Sequence, residues 1–426
     1  MAFLPHCNNG SPMTVQSSAP RLAVDVGGTF TDVALEIGPR RVTAKVLTTP
    51  QAPEEGVLAG VDKAVAEAGI APESVGLIIH GTTLATNALI ERKGAKTALI
   101  TSSGHRDSVE MAQENRFEQY DIAIDRPAPL VPRYLRWSVT ERLNYRGEVL
   151  VPLDEDSVRA LIPMIAEEKI DAVAIGLLHA YANGDHERRV AAILAEAYPD
   201  LAITLSSEVC PEIREYERQS TACANAYVQP KMARYLTELG ARMRDRGYRC
   251  PFLLMTSGGG LTTLETAIRF PIRLVESGPA GGAILATEIA KECGLKDVVS
   301  YDMGGTTAKI CLIDDFAPLS TRTFEVARVY RNLKGSGLPV RIPAIEMVEI
   351  GAGGGSIAHV DAMGRLLVGP ESASSEPGPA CYGRGGTRPT VTDGDVVLGK
   401  IDPARFAGGE VELDIDAAAG AVAAGE

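Results

Sequence analysis

One short segment, used twice, constrains this chain more than any other feature. The first copy is Asp25-Val-Gly-Gly-Thr-Phe-Thr-Asp32; the second, 277 positions later, is Asp302-Met-Gly-Gly-Thr-Thr-Ala-Lys309. Each follows an apolar run, Leu22-Ala-Val-Asp25 or Val298-Val-Ser-Tyr-Asp302. Each therefore reads as strand, Asp, Gly-Gly turn, hydroxyl residue and second strand. Adjacent glycines let the backbone turn tightly and approach a bulky anion. Successive backbone N–H groups in such a turn form an anion-binding nest. Gly27, Gly28, Gly304 and Gly305 supply the turns, and Thr29, Thr31, Thr306 and Thr307 add hydroxyl donors. Asp25 and Asp302 end their strands beside the nests, where carboxylates hold hydrated Mg²⁺. Either segment alone is as readily an ordinary hairpin with a glycine turn. The repetition favours two related halves gripping one nucleotide between them. No Gly-Lys-Ser/Thr follows the glycines, so neither copy is a P-loop, and the dinucleotide Gly-x-Gly-x-x-Gly pattern is also absent.

A length of 426 residues implies two or three domains. A net charge of −13 disfavours a nucleic-acid or anionic-membrane role. A phosphate site in so acidic a chain needs local help from loops and metal. The seven cysteines are scattered without a Cys-x-x-Cys pair, which argues against a disulfide framework and a structural zinc site and fits a reducing cytoplasm. Residues 1–20 carry no Lys or Arg and no long apolar stretch, so no signal peptide is visible. They read as a disordered leader, with Met13 as an alternative start. No run approaches the length of a membrane span.

Residues 21–205 alternate strand and helix signals, which implies an α/β layer fold. The strands are expected at Val75–His80, Thr97–Ile100, Asp171–Leu178 and Ala202–Leu205. The helices are expected at Leu84–Ile90, Ser157–Lys169 and His186–Ala197. The Pro- and Arg-rich stretch Phe117–Leu153 reads as an irregular excursion on the substrate side or at an interface. A long helix over Glu212–Arg246 contains Pro230, which predicts a kink or two helices. From residue 206 the pattern restarts, with a strand at Phe252–Met255 and another at Arg273–Ser277 that enters Gly278-Pro-Ala-Gly-Gly282 and opens a helix. Pro279 suits that helix's first turn, whose free N–H groups can face an anion. The glycine run Glu349-Ile-Gly-Ala-Gly-Gly-Gly-Ser356 follows apolar residues and reads as an ordered loop beside a ligand rather than a linker.

Five segments, taken together, resemble the hydantoinase A / 5-oxoprolinase family. They are Val24-Asp-Val-Gly-Gly-Thr-Phe-Thr-Asp32, His80 to Gly94, Ser277 to Gly282, Asp302 to Lys309 and Glu349 to Ser356. The resemblance runs from about Arg21 to about Gly409. It implies the actin/Hsp70/sugar-kinase fold, with an N-terminal lobe over 21–205 and a second lobe over 206–426. It implies ATP with Mg²⁺ or Mn²⁺, a small cyclic amide or imide as substrate, a beta-type (hydantoinase B-like) partner subunit and an oligomeric assembly. The implied chemistry is phosphorylation of the ring carbonyl oxygen, attack of water on that carbon, and departure of phosphate and the ring nitrogen. Two alternatives stay open: the beta-type subunit of an ATP-dependent ketone carboxylase, and a nucleotide-binding fragment without turnover. The resemblance also leads one to expect an adenosine-binding segment downstream of an Ala-rich helix, whereas this sequence stops within such a helix. That departure predicts a C-terminally truncated second lobe with weak or absent ATP turnover on its own.

The phosphate-contacting set expected from these motifs is Gly27, Gly28, Thr29, Thr31, Gly304, Gly305, Thr306, Thr307, Lys309, Gly281, Gly353 and Gly354. Asp25 and Asp302 are the metal candidates; Asp302 and His80 are the catalytic candidates. His80 ends a buried strand, where it either orients substrate or transfers protons, or is simply a hydrogen-bonded structural histidine. Lys309 either neutralises phosphate charge or sits on a hydrated strand face. His105 and His179 also fall at strand ends, but no spacing joins the histidines into a metal triad. Asn115 and Arg116 face either substrate or solvent. Asp393 is either a cap or a functional acid, and Cys381 is either a nucleophile or a packing residue. No Gly-x-Ser-x-Gly elbow is present to support serine hydrolase chemistry.

Overall fold

The computed structural model describes residues 19–27, 30–49, 51–305, 307–328, 333–374, 376–409 and 411–425. Gly28, Thr29, Thr306 and most of the 1–20 leader lie outside them.

The α/β expectation holds. The first sheet has six strands in the order Leu261–Thr263, Phe252–Met255, Leu77–Thr82, Arg21–Val26, Phe30–Ile37, Arg40–Leu47. Its three central members, Phe252–Met255, Leu77–Thr82 and Arg21–Val26, run parallel, and the outer ones are antiparallel. In Arg21–Val26 the residues alternate strictly, with Leu22, Val24 and Val26 inward. Period-two alternation is what one covered face requires. The cover is the helix Pro53–Ala68, which opens with Pro53 and the acidic pair Glu54 and Glu55 and closes on Gly69 at φ 70°. It lies so close that a Cβ on Gly60 would come within 2.8 Å of Val33 Cγ2.

A second sheet, Ala202–Leu205, Ala172–Ile175, Thr97–Ser102, Arg136–Val139, is parallel throughout. Ala172–Ile175 and Thr97–Ser102 are buried along their whole length, as strands covered on both faces must be. The helix Glu215–Asp245 packs against the second sheet and meets the first through Tyr235 and His80, and one continuous apolar core spans both sheets. A third, smaller sheet places Val298–Met303 beside Ala308–Asp314, with Val348–Ile350 on the latter's other side. Its core is the small cluster Ala280, Ala283, Cys311 and Ile345, under the helix Ser277–Glu292.

Four expectations need correction. A boundary at residue 205 does not separate the sheets, because Phe252–Met255 and Leu261–Thr263 complete the first one. Arg273–Ser277 is not a strand: Pro271–Leu274 forms a 3₁₀ turn, and Leu274 and Val275 are buried there without sheet partners. An apolar run this short reads the same in either state. Ser157–Lys169 splits into helices Glu155–Arg159 and Ile162–Glu167, the second carrying Pro163 in its first turn. The long helix, conversely, is one helix through Pro230, so the two-helix alternative falls. Pro230 offers no N–H to the turn before it, and the adjacent Tyr227 carbonyl accepts the Ala95 N–H at 2.8 Å.

Within the Phe117–Leu153 stretch, Arg136–Val139 joins the second sheet and Arg142–Leu143 pairs with Val149–Val151. No helix among the described residues is long and apolar enough to cross a membrane. Six of the seven cysteines are described, and all six are free thiols.

Gly94 sits where that carbonyl contact is made, and a Cβ there would run into the Tyr227 ring and carbonyl. Gly94→Ala should destabilise the chain by about 1–3 kcal/mol, the usual cost of overpacking. Urea unfolding checks this; an unchanged midpoint would contradict the packing described.

Candidate functional site

The two Gly-Gly segments fold into hairpins of matching register. In the first, Asp25 pairs across with Asp32, and the Gly27 N–H donates to the Phe30 carbonyl at 2.9 Å. In the second, Asp302 pairs across with Lys309, and the Gly304 N–H donates to the Thr307 carbonyl at 2.9 Å. The same eight-residue span and the same turn hydrogen bond therefore recur 277 positions apart. The aspartates stand at equivalent places and lie close enough for Asp302 to act electrostatically on Asp25.

Asp25 occupies a slot made by the absence of side chains. A Cβ on Gly81, its register partner at the end of Leu77–Thr82, would lie 2.7 Å from Asp25 Oδ1. A Cβ on Gly278, in the first turn of Ser277–Glu292, would lie 3.2 Å from the same oxygen and 3.3 Å from Oδ2. Ser277 ties that helix to the first sheet: its hydroxyl donates to the Thr82 carbonyl at 3.3 Å and accepts the Thr82 N–H at 3.4 Å. Solvent reaches Asp25 from the cleft. Surrounding protein nevertheless raises its pKa, with Asp32 and Asp302 adding to the effect and Lys45 opposing it. Lys45 is committed to Asp32, 2.7 and 2.9 Å from its two oxygens. Three carboxylates and one paired lysine leave a local excess of negative charge, which a cation would relieve.

On the second hairpin, Asp302, Lys309 and Glu349 form a row across three neighbouring strands. Lys309 pairs with Glu276, the residue just before the helix, which takes a left-handed φ of 60°. Burial lowers the lysine's pKa while Glu349 acts to raise it. Asp302 and Lys309 line a cavity of about 160 Å³ with Ser300 and Tyr301 of the same strand as Asp302 and with Pro279 and Gly282 of the helix Ser277–Glu292. Lys309 is thus a half-buried, paired cation at the cleft wall rather than a residue on a hydrated face.

Several expected contacts fall elsewhere. Thr31 is fully buried; its hydroxyl meets Thr48 Oγ1 at 3.0 Å, and Thr48 donates to the Gly27 carbonyl at 3.0 Å. Thr31 therefore braces the turn from inside rather than facing a phosphate. Gly354 and Gly355 donate to the Gly304 and Gly305 carbonyls at 2.9 and 2.7 Å, and Gly353 donates to Ser356 Oγ at 2.8 Å. The N–H groups of Gly354 and Gly355 are spent clamping the second hairpin, and that of Gly353 is spent on Ser356 within its own loop. The close approach needs glycine, since a Cβ on Gly354 would lie 2.6 Å from Thr392 Oγ1. Gly281 lies one turn into the helix, facing Met255.

His80 is the clearest correction. It pairs in register with Val24, one residue out of phase with Asp25, so it points to the opposite face of the sheet. There it is buried, with Nε2 2.9 Å from the Tyr235 hydroxyl and Phe252 also close. Nδ1 faces the Val24 side without a well-formed hydrogen bond. Burial drives its pKa down to about 4. It is a neutral core histidine on the face of the sheet opposite Asp25.

Asp393 caps the helix Val391–Val397 in a capping box with Thr390 and accepts the Cys381 N–H at 2.8 Å. Cys381 is fully buried, its thiol pushed up to about 12 by that burial and by Asp393. Both are structural. Asn115 lines a separate cavity of about 280 Å³ with Gln113, Glu217 and Glu325, while Arg116 donates to the Asp121 carbonyl. His105, His179 and His186 all lie beyond the carboxyl ends of second-sheet strands. His105 meets Arg142 and His186 meets Glu141, each at 2.8 Å. Among the described residues no three His, Cys, Asp or Glu side chains converge as a metal site. Mg²⁺ does not require that, since one or two carboxylates plus substrate phosphates and water commonly hold it. Asp25 in its side-chain-free slot and Asp302 opposite fit that pattern.

Sequence reading missed Gly81, Gly278, Glu276 and Lys45. The two glycines stood inside recognisable motifs, directly after the expected ends of strands; only the fold reveals that both serve one carboxylate.

The family described as Hydantoinase/oxoprolinase matches residues 218–424, and its N-terminal region matches 21–198. Caprolactamase subunit alpha from Pseudomonas jessenii is 36% identical over 94% of this chain and 58% of its own length. The gamma subunit of acetophenone carboxylase from Aromatoleum aromaticum is 35% identical over 95% of this chain and 56% of its own length. The crystal structure of the ATP-dependent caprolactamase superposes with a TM-score of 0.79 at 35% identity, covering 94% of this chain and 58% of that one. A nucleotide-free acetone carboxylase structure gives 0.79 at 27% identity, covering 95% and 58%. The chain thus spans under three-fifths of the length of these relatives.

The buried histidine generates a pH prediction. Unfolded chains take up a proton on His80 near pH 6.5, whereas the folded chain resists it to about pH 4. His80 therefore favours the fold fully above pH 6.5, and stability drains away as pH falls from 6.5 towards 4. The loss is on the order of 3 kcal/mol. His80→Gln should flatten the slope of unfolding free energy over that window; an unaltered slope would refute the assignment.

Proposed function

Because the chain belongs to the hydantoinase/oxoprolinase family, we propose that it is the nucleotide-handling part of an ATP-dependent enzyme that opens a cyclic amide. The observation that carries this reading is the matched pair of hairpins, with Asp25 and Asp302 facing one cleft. In this reading the hairpins belong to a two-lobed actin/Hsp70/sugar-kinase arrangement, with the triphosphate between them. On the same reading the two glycine turns would supply the N–H and hydroxyl donors that phosphates need. The first turn of Ser277–Glu292 adds its positive end. Asp25 and Asp302 would hold Mg²⁺, which when bound offsets phosphate charge. Lys309, held by Glu276, sets the charge of the cleft wall.

An unstrained amide is a poor electrophile, and its carbonyl oxygen a poor leaving group. Transfer of the terminal phosphoryl group to that oxygen forms an O–P bond as the bond to the nucleotide breaks. Water then adds to the carbon, and the adduct collapses with cleavage of the ring carbon–nitrogen bond, the nitrogen leaving with a proton, to give an open-chain acyl phosphate. A second water cleaves that acyl phosphate to carboxylate and phosphate. The first step needs little beyond positioning and charge neutralisation, which is what glycine turns, a helix terminus and two carboxylates provide. A beta-type partner subunit, an oligomeric assembly and a cytoplasmic setting belong to the same proposal.

The near-equal identity to a caprolactamase and an acetophenone carboxylase subunit keeps a second reading in view. Phosphorylation of a carbonyl-derived oxygen serves ketone carboxylation equally well. Phosphate release by the chain together with a beta-type subunit, tested against lactams, hydantoins and 5-oxoproline and separately against ketones with bicarbonate, distinguishes the two. Release with the amide panel alone supports ring opening. Release only with ketone and bicarbonate transfers the proposal to carboxylation, and inertness to both overturns it.

Asp25→Asn and Asp302→Asn should each weaken Mg²⁺-dependent nucleotide binding at least tenfold by calorimetry, whereas Asp393→Asn should alter stability without altering affinity. Unchanged affinity in both cleft variants would remove the metal assignment.

A further inference from the structure

Outside the cleft, one cavity carries charged groups that the proposed chemistry does not use. It has a volume of about 280 Å³ and is lined by the 109–131 stretch, the start of the helix Glu215–Asp245 and the strands Phe324–Val326 and Leu338–Val340. It shares no lining residue with the cavity beside Asp302 and Lys309. Three carboxylates line it, and two of them are already balanced. Glu110 pairs with Arg136 at 2.7 Å. Glu325 pairs with Arg328 at 3.0 Å and accepts the Gly335 N–H at 2.9 Å. Glu217 differs from both. It is more than nine-tenths buried, and among the described residues its carboxylate is held only by the neutral amide of Gln113, 2.8 Å away. A buried carboxylate with no cation beside it keeps much of the cost of its desolvation.

A cation without a carboxylate lines the same cavity. Arg126 is exposed, so it stands at the mouth while Glu217 lies within. Arg126 donates to the Met111 carbonyl at 3.0 Å and to the Asn115 carbonyl, and among the described residues no carboxylate pairs with it. Those backbone bonds fix the guanidinium without neutralising it, and leave other N–H groups of its fork unspent. The Tyr216 hydroxyl lies within electrostatic reach of Arg126, Glu217 and Glu325 together, so the unbalanced charges border a common space. Much of the remaining wall is apolar, with Phe117, Pro127, Pro129, Leu130 and Leu338.

We propose that this cavity binds a small aminoalkanoic acid as a zwitterion, its ammonium on Glu217, its carboxylate on Arg126 and its carbon chain against the apolar wall. Each polar contact is a charge-assisted hydrogen bond, and the ammonium supplies the counter-charge that Glu217 lacks. The chain of the ligand leaves water for apolar surface. Opening a lactam with water leaves a carboxylate at the carbonyl carbon and an amine, protonated at neutral pH, on the former ring nitrogen. The ligand class is therefore the class of product that ring opening releases; ketone carboxylation yields an oxo acid without an amine. That connection rests on the proposed function, whereas the binding itself does not.

Calorimetry on the chain without nucleotide tests this, with 4-aminobutyrate, 6-aminohexanoate and L-glutamate as probes and hexanoate and hexylamine as comparators that carry one charge each. At least one probe should bind at least tenfold tighter than either comparator, and should slow hydrogen exchange in 109–131 and 216–223. Glu217→Gln should weaken that probe at least tenfold while leaving hexanoate unchanged. Its urea midpoint should stay level or rise, because a buried amide costs less than a lone carboxylate. Arg126→Gln should weaken the probe at least tenfold while leaving hexylamine unchanged. Glu196→Gln, at an exposed helix position that does not line the cavity, should change nothing. No binding by any probe, a comparator that binds as tightly, protection confined to other segments, or full affinity in Glu217→Gln would each overturn the proposal. The exchange footprint is read on the unaltered chain, so it stands whatever the variants do to folding. Zwitterion binding without phosphate release from amides would sink the ring-opening reading alone, and phosphate release without zwitterion binding would sink this site alone.

Discussion

A carboxylate can stand against two backbones only where both lack a side chain, and the placement of Asp25 depends on that condition. Gly81 ends a strand of the first sheet; Gly278 opens a helix that follows nearly two hundred residues later. Either glycine, given a Cβ, would press on the same carboxylate oxygen. The slot therefore fixes how closely the helix Ser277–Glu292 approaches the first sheet, and the reciprocal Ser277–Thr82 hydrogen bonds secure it there. That helix in turn lies on the third sheet, whose leading strand carries Asp302 as its second-last residue. The meeting of the two aspartates follows from this chain of contacts.

Repetition makes the site and asymmetry orients it. Both hairpins share a register and a turn hydrogen bond, yet the residue opposite the aspartate is Asp32 in one and Lys309 in the other. The first hairpin is braced from inside by Thr31 and Thr48. The second is clamped from outside by Gly354 and Gly355. A cleft with like charges crowded on one wall and a paired lysine on the other is polarised, which suits a ligand carrying both metal and phosphate.

Much of this was legible in the sequence, for identifiable reasons. The hairpins, the α/β alternation and strands such as Ala202–Leu205 and Phe252–Met255 are local patterns, and the chain folds them where the pattern falls. The family was legible because several long motifs occur in order. The roles of individual residues were less so. His80 and Asp25 lie on opposite faces of one sheet, and a single step of register decides which is buried. Thr31 carries the same hydroxyl as a phosphate ligand, but its position opposite Val26 turns it inward. The glycines of 353–355 look like a ligand loop because they do allow a close backbone approach, made in this case by Gly354 and Gly355 to the second hairpin itself. Arg273–Ser277 was misread because a short apolar run is equally consistent with a buried turn. Facing, register and the choice between ligand and self-contact are tertiary properties, invisible to local spacing.

The central claim is that the two hairpins hold one triphosphate between them. A crystal structure of the chain with Mg²⁺ and a non-hydrolysable ATP analogue tests it most directly. The account predicts phosphates between the Gly27–Phe30 and Gly304–Thr307 turns, with the metal touching Asp25 and Asp302. Nucleotide bound elsewhere, for instance in the cavity beside Asn115 and Glu217, with the hairpins empty, would contradict it.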